Sequence, residues 1–391
     1  MEIMIPKVFE KYLYHKKSTL LAVGPMSKNC VDATIEMSNS YKVPIILIAS
    51  RRQIDSAAFG GGYVNEWDTS TFSKYVKKKD KNNLIFLARD HGGPWQNNVE
   101  KQKKYNLKDA MSSAKESFKC DIDSGFKFIH IDTSMSLNGS ENNKKKCMDR
   151  LFEFYEFCHV YAKKKKKDIF FEIGTEEQSG TTNTKEELEE TLDKTINFCN
   201  KNKFKKPTFV VIQSGTRVME MKNVGSFDLP FRVKNEVPAE IQVPQMINIC
   251  KKYNILMKEH NTDYLSNEAL SWHPKLGIHA ANVAPEFGVI ETRAIIKIVD
   301  ELRLKNLKER LLNISFNSGK WKKWMIKDSG ASDYDKSLIA GHYVFSNPEF
   351  TELKDILRKT LKKKKNLDLD THLKNEIKKT LFRYLQNFKI I

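Results

Sequence analysis

The 391-residue sequence lacks any run of about 20 apolar residues, the length that crosses a membrane as a helix. Its N-terminal segment also lacks an apolar core followed by a small-residue cleavage site, the pattern of a secretory signal. The six cysteines include no CxxC pair and no zinc-finger spacing, and a chain of this size does not need disulfides. These absences predict a cytoplasmic protein with reduced thiols, neither exported nor inserted in a membrane.

The net charge is +18, and such an excess of Lys and Arg is often found in proteins that bind nucleic acids. Most of the excess lies in lysine runs at residues 77–79, 144–146, 163–167 and 362–365. Each run falls between a predicted helix and a predicted strand, or in a helical tail, where lysines usually face solvent. We therefore predict solvated loops and no nucleic-acid partner, with a modest attraction for anionic substrates.

Short apolar runs alternate with segments of helical period, which indicates a parallel sheet covered by helices. Eight strands are predicted, at residues 19–24, 44–50, 84–90, 126–132, 168–174, 208–213, 254–260 and 275–281. Eight such units predict an α/β fold closed into a (β/α)8 TIM barrel. A doubly wound open sheet is the alternative, and it is disfavoured because no GxGxxG motif follows the first strand.

The composition divides the chain into three predicted segments. Residues 1–18 form an N-terminal helix that plugs or flanks the bottom of the barrel, and residues 19–302 form the barrel itself. Residues 303–391 are lysine-rich and helical in pattern, interrupted by a Gly- and Ser-containing stretch. They predict an appended C-terminal helical subdomain.

The active site of such a barrel lies where the strands end, and here the strand ends are unusually polar. Asp90 and His91 end the third strand and precede two glycines, which allow a close approach of the backbone. The pair predicts a metal-binding imidazole beside a carboxylate that moves a proton. The alternative is an Asp that caps the next helix beside a surface His.

Strand parity indicates which of the other candidates point into the barrel, because successive side chains alternate between faces. Lys258 and His260 share one face, so Glu259 should face the helices. Glu172 and Asp132 are carboxylates in buried strands, where they are costly without a cation or hydrogen-bond donors. A metal, Lys258 or a sugar hydroxyl is therefore expected beside them.

Several candidates keep a structural alternative. His130 shares a face with Asp132, so the two can point inward together. His260 could instead be a core His, and Asp263 could be a helix cap. His279, in the predicted eighth strand, could equally be a hydrogen-bonded core His.

Two places in the sequence are candidate anion-binding sites. The turn at Ser214 and Gly215 could hold a phosphate or be a plain turn, and Arg51 with Arg52 could bind an anion or form surface ion pairs. The predicted substrate-binding residues are Arg51, Arg52, Asp132, Gln213, Ser214, Gly215, Asp263 and Asn282.

Several sequence blocks occur in an order that resembles a known family. They are ARDHGGPWQ (88–96), GFKFIHIDTSM (125–135), FEIGTEE (171–177), VVIQSGT (210–216) and KEHNTDYLSNEAL (258–270), with GGGY (60–63) and the late GHYVFSNPEF (341–350). The chain resembles the accessory subunits of class II tagatose-bisphosphate aldolases, which are related to class II fructose-bisphosphate aldolases. The likeness spans roughly residues 20–300 and the late motif.

The resemblance implies a (β/α)8 barrel, a divalent metal, usually zinc, and a ketose phosphate substrate. By position, Asp90 corresponds to the catalytic Asp of the aldolases, His91 to the adjoining metal ligand, Glu172 to a strand-end carboxylate and His260 to the later ligand. The sequence WHPKLGIHAANVAPEFGVIETRAI departs from the family pattern at strand eight, which suggests a different substrate. Some relatives have been called sugar-phosphate kinases, but no GxxxxGK[ST] loop supports that activity here.

The preferred hypothesis is a metal-dependent aldolase or sugar 4-epimerase that acts on a ketose or ketose phosphate by retro-aldol chemistry. In it, His91 and His260 hold the metal with Glu172 or His279, and Asp90, Glu172 and Lys258 are catalytic. The alternative is a noncatalytic subunit that stabilises a separate class II aldolase. A homo-oligomer and an aldolase partner subunit both stay open.

Overall fold

Eight parallel strands close into a barrel in the order β1-β10-β9-β6-β5-β4-β3-β2. The structure is a computed structural model that describes residues 4–135, 144–174, 184–228 and 237–391. The strands are β1 (Leu20–Val23), β2 (Ile45–Ser50), β3 (Ile85–Gly92), β4 (Phe128–Asp132), β5 (Phe170–Gly174), β6 (Phe209–Val211), the hairpin strands β7 (Val218–Met219) and β8 (Lys222–Asn223), then β9 (Leu256–Glu259) and β10 (Ala280–Val283).

Helices alternate with the barrel strands and continue beyond the last one. They are α1 (Lys7–Glu10), α2 (Lys28–Tyr41), α3 (Thr69–Lys79), α4 (Asn98–Gln102), α5 (Leu107–Ser124), α6 (Lys144–Lys164), α7 (Lys185–Asn202), α8 (Ala239–Tyr253), α9 (Asn267–Leu276), α10 (Pro285–Glu301), α11 (Lys305–Asn317), α12 (Asp333–Ala340), α13 (Pro348–Lys365) and α14 (Leu369–Asn387). Because β1 pairs with both β2 and β10, the sheet has no edge. The TIM barrel with a helical C-terminal region is confirmed, and the open-sheet alternative is wrong.

The N-terminal end of the barrel is covered by α1 and the helical turn that continues it, Lys11–His15. Phe9 is fully buried there, with its ring centroid 4.6 Å from that of Phe86 and 5.8 Å from that of Phe128. A barrel interior needs such apolar filling because its strands leave a tapering space at each end. The site must therefore lie at the opposite, C-terminal mouth.

The eighth barrel strand lies further along the chain than residues 275–281, where the sequence pattern placed it. Helix α9 runs through Pro274 to Leu276, and the strand begins only at Ala280. Ala280 pairs with Lys258, so His279 is one step closer to the barrel bottom. Its Nδ1 accepts a hydrogen bond from the Met257 N–H at 3.1 Å. His279 is therefore below the mouth, and the prediction that it is a metal ligand is corrected.

The chain after the barrel forms a second apolar cluster and then returns to the first. Buried leucines of α11 and α13, such as Leu311, Leu353 and Leu357, pack with the outer face of α10. In contrast, Leu381 and Leu385 of α14 belong to the core of the barrel itself. In the described part of the chain, no helix has both the length and the apolar character needed to cross a membrane.

A substitution at the N-terminal cap of α14 tests whether the C-terminal region and the barrel unfold in one transition. The carboxylate of Asp368 accepts the Thr371 N–H at 2.7 Å. Asp368→Ala is expected to lower the free energy of unfolding of the whole chain by about 1 kcal/mol, the usual cost of losing a cap, and Asp368→Asn to lower it less. Guanidinium unfolding followed by circular dichroism measures both. A separate early transition that leaves the barrel signal unchanged would instead support a division at residue 302.

Candidate active site

Four strands bring polar side chains together at the C-terminal mouth of the barrel. Asp90 lies in β3, His130 in β4 and Glu172 in β5, and His260 follows β9 directly. His130 and Glu172 are paired across β4 and β5. The face expected for Glu259 is also observed, since its carboxylate accepts the Nε2–H of His273 in α9 at 2.6 Å. Lys258 and His260, on either side of Glu259 in the chain, therefore point into the barrel.

The carboxylate of Asp90 lies among three imidazoles. Its Oδ1 is 3.6 Å from Nδ1 of His130 and 4.0 Å from Nε2 of His260, while its Oδ2 is 3.7 Å from Nε2 of His91. Burial alone would raise the pKa of Asp90, but the three imidazoles hold that pKa well below its usual range. The ring centroids of the histidines are 5.2 to 5.5 Å apart. Asp90 is therefore an ionised carboxylate at the centre of the cluster.

His91 is oriented by the backbone and by a second carboxylate. It has a φ of 44°, in the left-handed region, at the point where the register between β3 and β4 shifts. Its Nδ1 is 2.5 Å from Oδ2 of Asp132, and Asp132 also accepts a hydrogen bond from Gln96. A carboxylate on one ring nitrogen of a His is the usual support for a metal ligand, because it leaves the other nitrogen free. Asp132 thus orients His91, and its predicted contact with substrate stays a prediction.

A buried ion pair lies beneath the imidazoles. Nζ of Lys258 is 2.6 Å from Oε2 of Glu172, and Oε1 of the same carboxylate is 3.2 Å from Nε2 of His260. Burial would raise the pKa of Glu172, but Lys258 and the imidazoles lower it to about 2. Burial also lowers the pKa of His260 below its ordinary value. The side chain of Glu172 is fully buried, whereas that of Asp90 is 17% exposed, so Asp90 is the carboxylate that a substrate can reach.

The donor atoms of this cluster suit a divalent metal ion. Asp90, His130 and His260 each offer a ligand atom within 4.8 Å of the others. Catalytic zinc sites commonly use three protein ligands, often imidazoles, which lie about 3.4 Å apart around a tetrahedral ion. Parity puts His130 on the same face as Asp132, and its contacts now add it to the candidate ligands.

The cluster opens into a cavity of about 130 Å³ whose walls come from two parts of the chain. Arg52, Asp263 and Asn282, three of the predicted substrate-binding residues, line its barrel side. Asp263 also accepts the N–H groups of Ala284 and Glu286 at 2.9 Å, and burial followed by the charge of Glu286 raises its pKa to about 8. The opposite wall was not predicted from the sequence. It is formed by Lys323, Trp324 and Tyr343 of the helical C-terminal region.

Arg51 does not reach this cavity. Its guanidinium is buried between Asp55, 2.9 Å from Nε, and Glu100, 2.6 Å from Nη1. Arg51 is therefore a structural cation, and its prediction as a substrate ligand is corrected.

The turn after β6 is also occupied by structural contacts. The hydroxyl of Ser214 donates to the carboxylate of Glu259, and Gly215 has a φ of 87° and packs against Ser226. Gln213, on the same turn, is buried and accepts the side-chain amide of Gln242 at its carbonyl. None of the three predicted residues of this turn lines the cavity, and these contacts favour the plain turn over the phosphate site.

The fold and the site define a TIM-barrel protein with a cluster of imidazoles and carboxylates at its C-terminal mouth. The chain belongs to the family described as D-tagatose-1,6-bisphosphate aldolase subunit GatZ/KbaZ-like, whose model matches residues 6–287. The resemblance found in the sequence blocks is thereby confirmed. No curated protein matches the chain.

Solved structures with the same fold include proteins of several activities. A probable tagatose 6 phosphate kinase from Sinorhizobium meliloti 1021 has a TM-score of 0.74 at 15% identity, over 94% of this chain and 100% of that one. Fructose-bisphosphate aldolase from Campylobacter jejuni has a TM-score of 0.55 at 12% identity, over 98% and 94%. Fructuronate-tagaturonate epimerase UxaE from Cohnella laeviribosi has a TM-score of 0.57 at 10% identity, over 97% and 84%. At such identities the likeness concerns the fold, and activity must be argued from the site.

Proposed function

We propose that this protein is a metal-dependent enzyme that cleaves a carbon–carbon bond of a ketose or ketose phosphate by retro-aldol chemistry, as an aldolase or a 4-epimerase. The observation that carries the proposal is the ionised Asp90 among His91, His130 and His260 at the floor of the cavity. A site built only for structure would not keep one carboxylate accessible among three imidazoles, each of them a metal ligand by chemistry.

In this proposal His91, His130 and His260 hold the divalent ion, zinc in the first instance. The Nδ1 of His91 is occupied by Asp132, which leaves Nε2 directed at the cluster. When bound, the ion would supply Lewis-acid polarisation of a ketose oxygen. Glu172 contacts the ring of His260 and is paired with Lys258, so both would act through His260.

Asp90 is the group that moves a proton. It is ionised at neutral pH and can therefore accept the proton of the hydroxyl on the carbon beyond the bond that breaks. That oxygen becomes the carbonyl of the departing fragment, while the bonding electrons pass to the carbon beside the ketose carbonyl. Release of the fragment gives aldolase chemistry, and its return on the opposite face gives epimerisation.

A noncatalytic role is the second candidate, because the family description itself names a subunit of an aldolase. Such a subunit would need neither the accessible Asp90 nor the supported His91. The two roles differ in whether the purified chain turns over substrate alone.

Metal content and partner-free turnover test the proposal together. The purified chain is expected to contain about one divalent ion per molecule, since the site offers one set of ligands. It should convert at least one member of a panel of ketose mono- and bisphosphates, followed by carbon-13 NMR, and EDTA should abolish that conversion. The same conversion with EDTA present would contradict metal dependence. Turnover only after addition of an aldolase subunit would support the noncatalytic role.

A further inference from the structure

The wall of the cavity opposite the imidazole cluster is fixed by contacts between the barrel and the C-terminal region. The short helix Lys322–Trp324 is anchored where the Glu220 N–H, between β7 and β8, donates to the Trp324 carbonyl at 2.7 Å. The indole N–H of Trp324 donates to the hydroxyl of Tyr343 at 3.1 Å. The ring of Tyr343 packs on Tyr63 with centroids 4.8 Å apart. Lys323 is thus carried on an ordered wall.

Two cations face each other across this end of the cavity. Arg52 follows β2, and Lys323 places its ammonium 4.5 Å from the ring centroid of Trp324 and 5.2 Å from that of Tyr343. Among the described residues, neither cation has a carboxylate within ion-pair distance.

Three other cations of the chain are held by carboxylates, unlike Arg52 and Lys323. Arg51, one residue before Arg52, is paired with two carboxylates, and Lys258 is paired with Glu172. Lys354, in α13, lies within 3.6 Å of Glu291 and 3.3 Å of Asp370. Two unpaired cations that line one cavity repel each other, and an anion between them would remove that repulsion.

We propose that Arg52 and Lys323 together bind the phosphate monoester of a ketose phosphate, so that the C-terminal region supplies part of the substrate site. The inference rests on the proposed function for the identity of the rest of the substrate. A phosphate monoester carries a charge of about −1.5 to −2 at neutral pH, which two cations match, whereas a carboxylate would need only one of them. Arg additionally offers its planar fork to two phosphate oxygens.

The opposite end of the cavity suits the hydroxylated part of the same molecule. Asn282 is 7% exposed and lines the cavity, and its Oδ1 has no hydrogen-bond partner among the described residues. Its Nδ2 lies 3.4 Å from Oδ1 of Asp90. A sugar hydroxyl near Asp90 would satisfy this buried acceptor. The ligand would then run from Asp90 and Asn282 toward Arg52 and Lys323.

Binding of inorganic phosphate and of D-fructose 6-phosphate, measured by calorimetry on the full chain, tests the inference without requiring turnover. Lys323→Gln and Arg52→Gln are each expected to weaken both affinities about 10- to 100-fold, the effect of one hydrogen-bonded charge. Lys322→Gln is the matched control, since Lys322 is the adjacent lysine of the same short helix but does not line the cavity, and it should bind as wild type does. Circular dichroism of each variant confirms the fold.

Two further ligands identify the anion. Neutral D-fructose should bind equally to wild type and to both variants, whereas D-fructuronate tests whether a carboxylate uses the same cations. Unchanged phosphate and D-fructose 6-phosphate affinities in Lys323→Gln and Arg52→Gln would overturn the proposal, as would weakening confined to D-fructuronate. A chain without any aldol turnover would refute the proposed function, yet the difference between Lys323→Gln and Lys322→Gln would still support this anion site.

Discussion

Asn in place of Asp90 is expected to lower kcat for the retro-aldol substrate by about 10²- to 10⁴-fold, the usual contribution of one general acid–base group. Asn has nearly the same shape as Asp but cannot accept the hydroxyl proton. The side chain is 17% exposed, and its Oδ1 lies within reach of the amide of Asn282, so the replacement fits without repacking. The loss should therefore appear in turnover and not in folding.

The ion content of the Asp90→Asn protein separates the two functions that this carboxylate could have. If the three imidazoles hold the metal, the variant keeps the ion and loses turnover. Loss of both would make Asp90 a ligand, together with His130 and His260, the set whose donor atoms lie within 4.8 Å. Atomic absorption on the purified protein and carbon-13 NMR of the reaction give the two readouts.

His279→Gln is the control for this experiment. His279 lies level with Met257, at the bottom side of the barrel, and only accepts a backbone N–H there. Gln can accept the same hydrogen bond, so turnover and metal content should both match wild type. A wild-type rate in Asp90→Asn would contradict the proton-transfer role.

The barrel was predictable because the sequence pattern of each strand and helix lies within that element. Each strand is a short run of apolar residues buried on both faces, such as Ile45–Ser50, and each is followed by a helix of ordinary length. Parity within a strand is equally local, so the common face of Lys258 and His260 could be inferred without coordinates. The strand ends therefore located the mouth of the barrel and most of the cluster.

The eighth strand shows where local reasoning fails. Pro274 lies inside α9 near its end, and the helix continues through it to Leu276. The strand consequently starts later, and the residue brought to the mouth is Asn282 in place of His279. The shift of a few residues thus takes a predicted metal ligand away from the mouth and leaves there an amide that was already predicted to bind substrate.

Long-range contacts account for the rest of the site. Arg51 and Arg52 are adjacent and chemically identical, yet one is neutralised by Glu100 of α4 and the other faces the cavity beside Lys323. No periodicity in the sequence reports which carboxylate will approach which guanidinium. The wall formed by Lys323 and Tyr343 is separated from Arg52 by about three quarters of the chain and depends on how the C-terminal helices dock.

Met in place of Lys258 is expected to lower the free energy of unfolding by about 3 to 5 kcal/mol, because it leaves an uncompensated charge in the interior. Glu172 is fully buried, and Lys258 is the main cause of its low pKa once burial is offset. Met keeps most of the length and apolar volume of the Lys stem, so little of the loss comes from packing. Guanidinium unfolding in the presence of EDTA measures the change without a contribution from metal binding.

The double variant Glu172→Gln with Lys258→Met shows whether the loss of stability comes from the unpaired charge of Glu172. Removing both charges should recover much of the stability, since neutral replacement of a buried ion pair is often tolerated. Lys275→Met, at an exposed position, is the matched control and should stay within about 0.5 kcal/mol of wild type.

If the double variant is no more stable than Lys258→Met, the loss of stability has another origin. If it is stable but inactive, the ion pair contributes to catalysis by holding the ring of His260, 3.2 Å from Glu172, in the orientation that the metal site needs.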